Sequence, residues 1–340
     1  MDKREMDKIC SWKLSWVTFI ANVVILFHHA NLKTYYPEKV TSASSNIMDF
    51  FSVISIPAMV WFFFISAYLF FRHLELGMIP EKWRRRIKSI LIPFIIWNTV
   101  SVILELAKGV NVMDGGILNF VVKNYLFILG TGCANGPLWY LFRLMEYIVI
   151  APLVFFIAKN KWLTVGVEIV LLTANYVFGI DYFDLSYFLP VYIAGAYVGI
   201  NMPGIAEDVL AGEDIQNQSL RVTGFVTGII IVIGFSYAVY ALPEPFKSIV
   251  RYLSVVGIFL LARSMKCIKP PHIVIGGGMW LYCTHDIVYR VIRTILNKFD
   301  FNMLVSWSLL IVSSFALIIL SYVFMNLYCK KGLLVLTGVR

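Results

Sequence analysis

Trp12-Lys13-Leu14-Ser15-Trp16-Val17-Thr18-Phe19-Ile20-Ala21-Asn22-Val23-Val24-Ile25-Leu26-Phe27-His28-His29-Ala30 is an apolar run that carries a single lysine and ends in two adjacent histidines. Crossing about 30 Å of hydrocarbon takes about 20 apolar residues as a helix, so the run is long enough to span a bilayer. An imidazole held at membrane depth is costly to place and chemically useful, which makes the His28-His29 pair a candidate functional site.

Outward from this segment the pattern repeats. The chain has 340 residues, of which 59% are hydrophobic, 16% aromatic and only 14% charged, with a mean hydropathy of +0.78. That composition excludes an ordinary soluble protein. Apolar segments at 12–30, 48–71, 87–107, 137–158, 162–179, 185–200, 221–241, 247–264, 274–295 and 303–328 predict ten spans, an all-α polytopic bundle. The run 117–130 is interrupted by Lys123 and Asn124 and reads as an interfacial or re-entrant piece, with an eleventh span as the alternative. No hydrophilic stretch is long enough for a fused soluble domain, so residues 1–340 read as a single membrane domain. Met1 to Lys13 is too charged for a cleavable signal peptide.

The net charge of +9 is read as topology, and no nucleic-acid partner is expected. With the N-terminus in the cytoplasm, the inside segments carry most of the lysines and arginines, among them Lys3, Arg4, Lys8, Arg84, Arg85, Arg86, Lys330 and Lys331, as the positive-inside rule expects. The expectation is a multi-pass protein of the plasma membrane with both termini cytoplasmic, and the acidic loop 201–220, with Glu207, Asp208, Glu213 and Asp214, weighs little against it. Cys10, Cys133, Cys267, Cys283 and Cys329 are scattered, giving neither a disulfide framework nor a metal site. The lipid bilayer is a partner by composition, and a homodimer is left open.

Four constellations carry chemistry. The run Lys82-Trp83-Arg84-Arg85-Arg86-Ile87-Lys88 lies at the inner end of the third span. It reads either as an anchor on anionic lipid headgroups or as a clamp for a cytoplasmic polyphosphate, with Arg85 and Lys88 as neighbours on one helix face. At the outer end of the first span, successive helical side chains point about 100° apart, so one imidazole of His28 and His29 is expected inward and the other at the interface. The fourth span opens Gly136-Pro137-Leu138-Trp139-Tyr140-Leu141-Phe142-Arg143-Leu144-Met145-Glu146. Trp139 and Tyr140 suit an aromatic belt, and Arg143 is within reach of Trp139 and Glu146 as either a structural ion pair or a substrate contact. In the ninth, Tyr282, His285, Asp286 and Tyr289 fall at i, i+3, i+4 and i+7, a polar stripe that must face protein or a wet cavity. Gly276-Gly277-Gly278 before it reads as a flexible entry without dinucleotide-binding spacing. Glu105, Glu168, Asp181 and Asp184 are further acids at or near spans, each able to orient an imidazole.

The order and spacing of these pieces resemble acyltransferase family 3, ten-span membrane proteins. The resemblance rests on Val24-Ile25-Leu26-Phe27-His28, Trp61-Phe62-Phe63-Phe64-Ile65-Ser66-Ala67-Tyr68-Leu69, Arg84-Arg85-Arg86-Ile87-Lys88 leading to Pro93-Phe94-Ile95-Ile96-Trp97, Leu138-Trp139-Tyr140, Phe188-Leu189-Pro190 with Gly195, and Leu281-Tyr282 with His285. It implies transfer of an acyl group, usually acetyl from cytoplasmic acetyl-CoA, to a hydroxyl of a glycan or cell-envelope acceptor outside. It also implies that His28, with His29 as the alternative, is the catalytic base, that Arg85 and Lys88 hold the CoA phosphates, and that no metal takes part. The chain departs from the family in two places. The arginine usual eleven residues before the histidine is Val17, or Thr18 counted from His29, with Lys13 a replacement one turn further on, and Ala67 stands where glycine is usual. The alternative reading is a transporter or exporter of a polar small molecule or glycan, with Arg143, Glu146 and His285 along its path; a structural or sensory component is a third.

The orientation predicts that, in a cysteine-free background, a cysteine replacing Lys39 reacts with a membrane-impermeant maleimide applied to intact cells. One replacing Lys331 is expected to react only after permeabilisation, and the opposite pattern would overturn the assigned topology.

Overall fold

A computed structural model describes residues 3–109, 116–126, 134–180, 182–211, 217–242 and 246–338. Among the described residues there is no strand. The helices are α1 Lys3–His29, α2 Ser42–Phe71, α3 Ile79–Arg86, a π-helical turn Ile87–Leu91, α4 Ile92–Ala107, α5 Gly116–Tyr125, α6 Trp139–Val149, α7 Ala151–Lys159, α8 Lys161–Val177, α9 Leu189–Asn201, α10 Ile205–Ala211, α11 Gln218–Ala241, α12 Phe246–Ser264, α13 His272–Leu296, α14 Met303–Tyr328 and α15 Lys330–Thr337.

Each of the ten segments expected to span coincides with helix. Among the described residues, five helical stretches are long and apolar enough to cross a membrane, and up to seven if each of two bent pairs counts as one span. The chain is a multi-pass membrane protein.

The structure departs from the sequence expectation at particular places. Segment 137–158 is broken into α6 and α7, where Pro152 sits in the first turn of α7 and has no N–H to continue the ladder from α6. A bend of 88° separates α9 from α10 around Pro203. The basic run is helical from Ile79, ahead of the expected start of the third span. The helix at 116–125 has ten residues, too few to cross a bilayer. Residues 127–130, Cys133, Asp181, Glu213 and Asp214 lie outside the described residues. Nor do the glycines 276–278 form a flexible entry: they are inside α13, where a Cβ on Gly276 would stand 2.8 Å from the Tyr322 hydroxyl of α14.

The chain divides into two compact units. The first comprises Met1–Ile25, Phe50–Ile79 and Ile150–Ile275. Its core is α2 against α9: Phe63 stacks on Phe188 with ring centroids 4.6 Å apart, and Phe71 meets Tyr192 edge-on at 5.9 Å. Two glycines let the backbones touch. A Cβ on Gly195 would collide with the Phe64 carbonyl and lie 3.0 Å from the Ala67 methyl, and one on Gly199 would lie 2.7 Å from the Tyr68 carbonyl. The family-like stretches of spans two and six therefore pack on each other, and Ala67 fills the contact where glycine is usual. Helices α11 and α12 pair through the Gly224-xxx-Gly228 spacing and Gly257, whose Cβ would meet Ile231 at 2.6 Å. Lys13 is buried and donates to the Arg263 carbonyl at 2.7 Å, so the offered replacement for the missing arginine is tied to the last turn of α12. Arg72 pairs with Glu207 and reaches Asp7 at 3.7 Å.

The second unit comprises Leu26–Asp49, Pro80–Val149 and Gly276–Arg340, and it holds the histidine pair, the basic run and the polar stripe. Helix α13 is fastened to α14 by the Trp280 indole, which donates to Ser321 Oγ at 3.1 Å, and meets Trp97 of α4 edge-on at 5.4 Å. Phe27 packs on Trp307 at 6.0 Å. In the connecting loops Lys39 donates to Asp300 at 2.8 Å, which holds that carboxyl below the usual carboxylate range.

Gly195→Val is predicted to destabilise the protein by about 1–3 kcal/mol or more, the cost of overpacking a closed contact. Thermal denaturation in detergent checks it, and an unchanged midpoint would show that α2 and α9 do not touch as described.

Candidate functional site

The site begins at the end of α1. The His28 and His29 rings are 4.9 Å apart, and His29 lies 5.1 Å from His285 of α13, so three imidazoles form one cluster. Both histidines of the pair are half-buried, and His285 is 1% exposed. The expectation that one of the pair would be left at the interface is replaced by a cluster that takes in both. His285 Nδ1 lies 2.7 Å from the Tyr282 carbonyl and 3.2 Å from that of Leu281. Carbonyls only accept, so Nδ1 carries the proton and Nε2 of the neutral ring presents a lone pair. That Nε2, like Nδ1 of His28, is buried without a hydrogen-bond partner.

The remaining members of the α13 stripe fix this geometry. Tyr289 donates to the Leu26 carbonyl at 2.8 Å, binding α13 to α1 two residues before His28, and its ring lies 5.9 Å from His285. Tyr282 donates to the Pro137 carbonyl. Asp286 pairs with Arg290 at 2.7 Å, and Arg290 also reaches Glu105 of α4 at 2.6 Å and the Ala134 carbonyl at 2.8 Å. Asn135 donates to the Cys283 carbonyl at 3.3 Å, while its own backbone N–H donates to Asn98 Oδ1 at 3.0 Å. The turn 134–137 is thus pinned at three points by α13, and α6 starts from it.

Helix α6 carries the next group. Trp139 and Tyr140 are buried in the unit, where the sequence reading had them in an aromatic belt; Tyr140 and Tyr282 meet edge-on at 6.1 Å. Arg143 is 6% exposed and pairs with Glu146 at 2.5 Å, the ion pair that the spacing allowed. A cation at such depth needs this partner, because leaving it unpaired costs several kcal/mol.

The basic run stands apart from these contacts. Arg84, Arg85 and Lys88 are exposed, and Arg86 is half-buried. Arg85 pairs with Glu81. Because the α-helix gives way to a π turn at Ile87, the regular three-residue spacing assumed for Arg85 and Lys88 does not run through the segment. Three exposed cations on one short stretch suit a polyanion. No group of three or more His, Cys, Asp or Glu among the described residues is arranged to hold a metal ion.

Sequence reading missed Arg290, Glu105's role as its partner, and the Asn98-Asn135 pair. Arg290 follows Asp286 by four residues and Tyr282 by eight, so extending the stripe one turn finds it. Nothing in the sequence pairs Asn98 with Asn135, which lie 37 positions apart.

A family model described as an acyltransferase domain matches residues 13–326. Comparison with the curated proteins and with the solved structures gives no match.

Arg290→Met is predicted to cost about 2–4 kcal/mol, since it strips Asp286 and Glu105 of a shared cation and frees the 134–137 turn. Thermal denaturation in detergent measures it. A loss below about 0.5 kcal/mol would show that the turn is held by other contacts.

Proposed function

The chain belongs to acyltransferase family 3, and from that premise we propose that it moves an acyl group, acetyl in the first instance, from a cytoplasmic acyl-CoA to a hydroxyl of an extracytoplasmic carbohydrate or cell-envelope acceptor. His28 is the general base, backed by His29 and His285. The imidazole takes the acceptor's proton as its oxygen attacks the thioester carbonyl. The carbon–sulfur bond then breaks, and the CoA thiolate recovers the proton. Base catalysis of this kind supplies roughly 10²–10⁴-fold, and alignment of the two substrates supplies much of the rest.

The observation that carries this reading is the histidine cluster, in which two buried ring nitrogens, His28 Nδ1 and His285 Nε2, are left without partners. A buried polar atom without a partner is costly, so its persistence supports a site built for a substrate group. In this reading Arg84, Arg85, Arg86 and Lys88 hold the CoA phosphates, with Arg85 exchanging Glu81 for phosphate, and guanidinium forks suit that ligand. Arg143 with Glu146, alongside Trp139, Tyr140 and Tyr282, supports the acceptor. Ten spans and two cytoplasmic termini put the basic run on the side of the donor and the histidines on the side of the acceptor.

The test is acetyl-CoA-dependent acylation in membranes, read by mass spectrometry of envelope glycans. His28→Ala is expected to lower the rate at least about 10²-fold, and His285→Gln, which removes the basic ring nitrogen, to lower it less. Full activity in His28→Ala, His29→Ala and the double variant would sink the mechanism.

A further inference from the structure

We propose that the C-terminal helix α15 and Gly338 act as a brace that sets the geometry of the donor-binding run, with Gly338 and Trp97 as positioning residues. The inference rests on the assignment of Arg84 to Lys88 to the CoA phosphates.

The basic run ends in the π turn Ile87–Leu91, which contains Lys88. A π turn in an otherwise α-helical stretch is uncommon and gains less from its own hydrogen-bond pattern than a regular α-helix does, so it persists where neighbouring structure holds it. Here the neighbour is residue 338. Gly338 adopts φ +62°, the left-handed conformation that lets α15 end, and a Cβ on it would collide with Cα and the carbonyl oxygen of Ser89 and lie 2.6 Å from Ser89 C. The backbone at Gly338 therefore lies directly on the backbone of the π turn, beside Lys88. Only glycine meets both demands, the positive φ and the contact.

The brace is fastened on both sides. Trp97 of α4 donates its indole N–H to the Leu336 carbonyl in the last turn of α15 at 2.9 Å. Leu333 and Thr337 of α15 are buried, and Thr337 closes the turn onto the Leu333 carbonyl at 2.7 Å. Ahead of the run, Trp83 donates to the Ile148 carbonyl of α6 at 2.7 Å. The cations from Arg84 to Lys88 thus sit between two tryptophan anchors, and the second holds α15 in place. Helix α15 lies beyond residue 326, where the match to the acyltransferase-domain model ends.

Displacing α15 shifts Lys88 relative to Arg85 and Arg84 and leaves the histidine cluster alone. The affected substrate is the donor, through the anionic 3′-phospho-ADP part of CoA.

The experiment measures steady-state kinetics in membranes with acetyl-CoA and with acetyl-dephospho-CoA, which lacks the 3′-phosphate. Gly338→Val is expected to raise KM for acetyl-CoA on the order of tenfold, the worth of one charge-assisted phosphate contact, with kcat and the acceptor KM held. The preference for acetyl-CoA over acetyl-dephospho-CoA is expected to fall with it, which a merely structural lesion would not produce. Trp97→Phe keeps an aromatic side chain, smaller than the indole, and removes the hydrogen bond to Leu336, with about a two- to tenfold rise expected, and keeps the test open if Gly338→Val is not recovered from membranes. Wild-type donor kinetics in both variants overturn the brace and leave the donor assignment standing. A wild-type protein that does not distinguish acetyl-CoA from acetyl-dephospho-CoA overturns the donor assignment, and the brace with it.

Discussion

Hydrocarbon offers no hydrogen-bond partners, so each polar group on a helix at membrane depth must find one in the protein or remain as a cost. Helix α13 bears most of that burden. Tyr282, His285, Asp286, Tyr289 and Arg290 lie along it, and each is answered by a specific neighbour: the Pro137 carbonyl, its own preceding turn, Arg290, the Leu26 carbonyl, and Glu105 with the Ala134 carbonyl. These bonds tie α1, α4 and the start of α6 to one helix. The second unit is arranged around the need to satisfy this stripe.

The same bonds hold the cluster on which the proposed chemistry rests. A carbonyl at 2.7 Å fixes the His285 tautomer, and the Tyr289 bond holds α1 at Leu26, two residues before His28, so the imidazoles stay grouped in one place. An imidazole held this way spends little on reorganisation when a proton moves, the general condition for efficient base catalysis. Beside these bonds, His28 Nδ1 and His285 Nε2 stay buried without a hydrogen-bond partner. The basic run is built differently: Arg84, Arg85 and Lys88 are exposed, and Arg85 pairs with Glu81 at the surface, where an ion pair contributes little.

Much of this was legible in the residues. Helical periodicity and length located all ten apolar segments on helices, and the family-like stretches placed the chain in its family. The Tyr282 to Tyr289 spacing named the stripe, and the Arg143-Glu146 spacing named an ion pair that is present at 2.5 Å. Other features were hidden because they depend on neighbours remote in sequence. The breaks at Ile150 and Pro203 reflect which proline the surrounding helices allow to break the chain, and Pro57 sits inside α2 without ending it. The glycines 276–278 suggested flexibility, but what decides their role is the Tyr322 hydroxyl on another helix.

By itself, then, the sequence determined that the chain is a helical membrane protein, which residue types are candidates for its chemistry, and its family, because hydrophobic length and side-chain spacing are local quantities. Only the tertiary structure decided that His29 packs near both His28 and His285, that Trp139 and Tyr140 are buried, that Arg290 bridges α13, α4 and the 134–137 turn, and that the π turn containing Lys88 rests on Gly338. Each of these is a contact between segments far apart in the chain. Such contacts are selected by the need to pair polar groups and fill space where water is excluded, and no local pattern encodes which partner will meet that need.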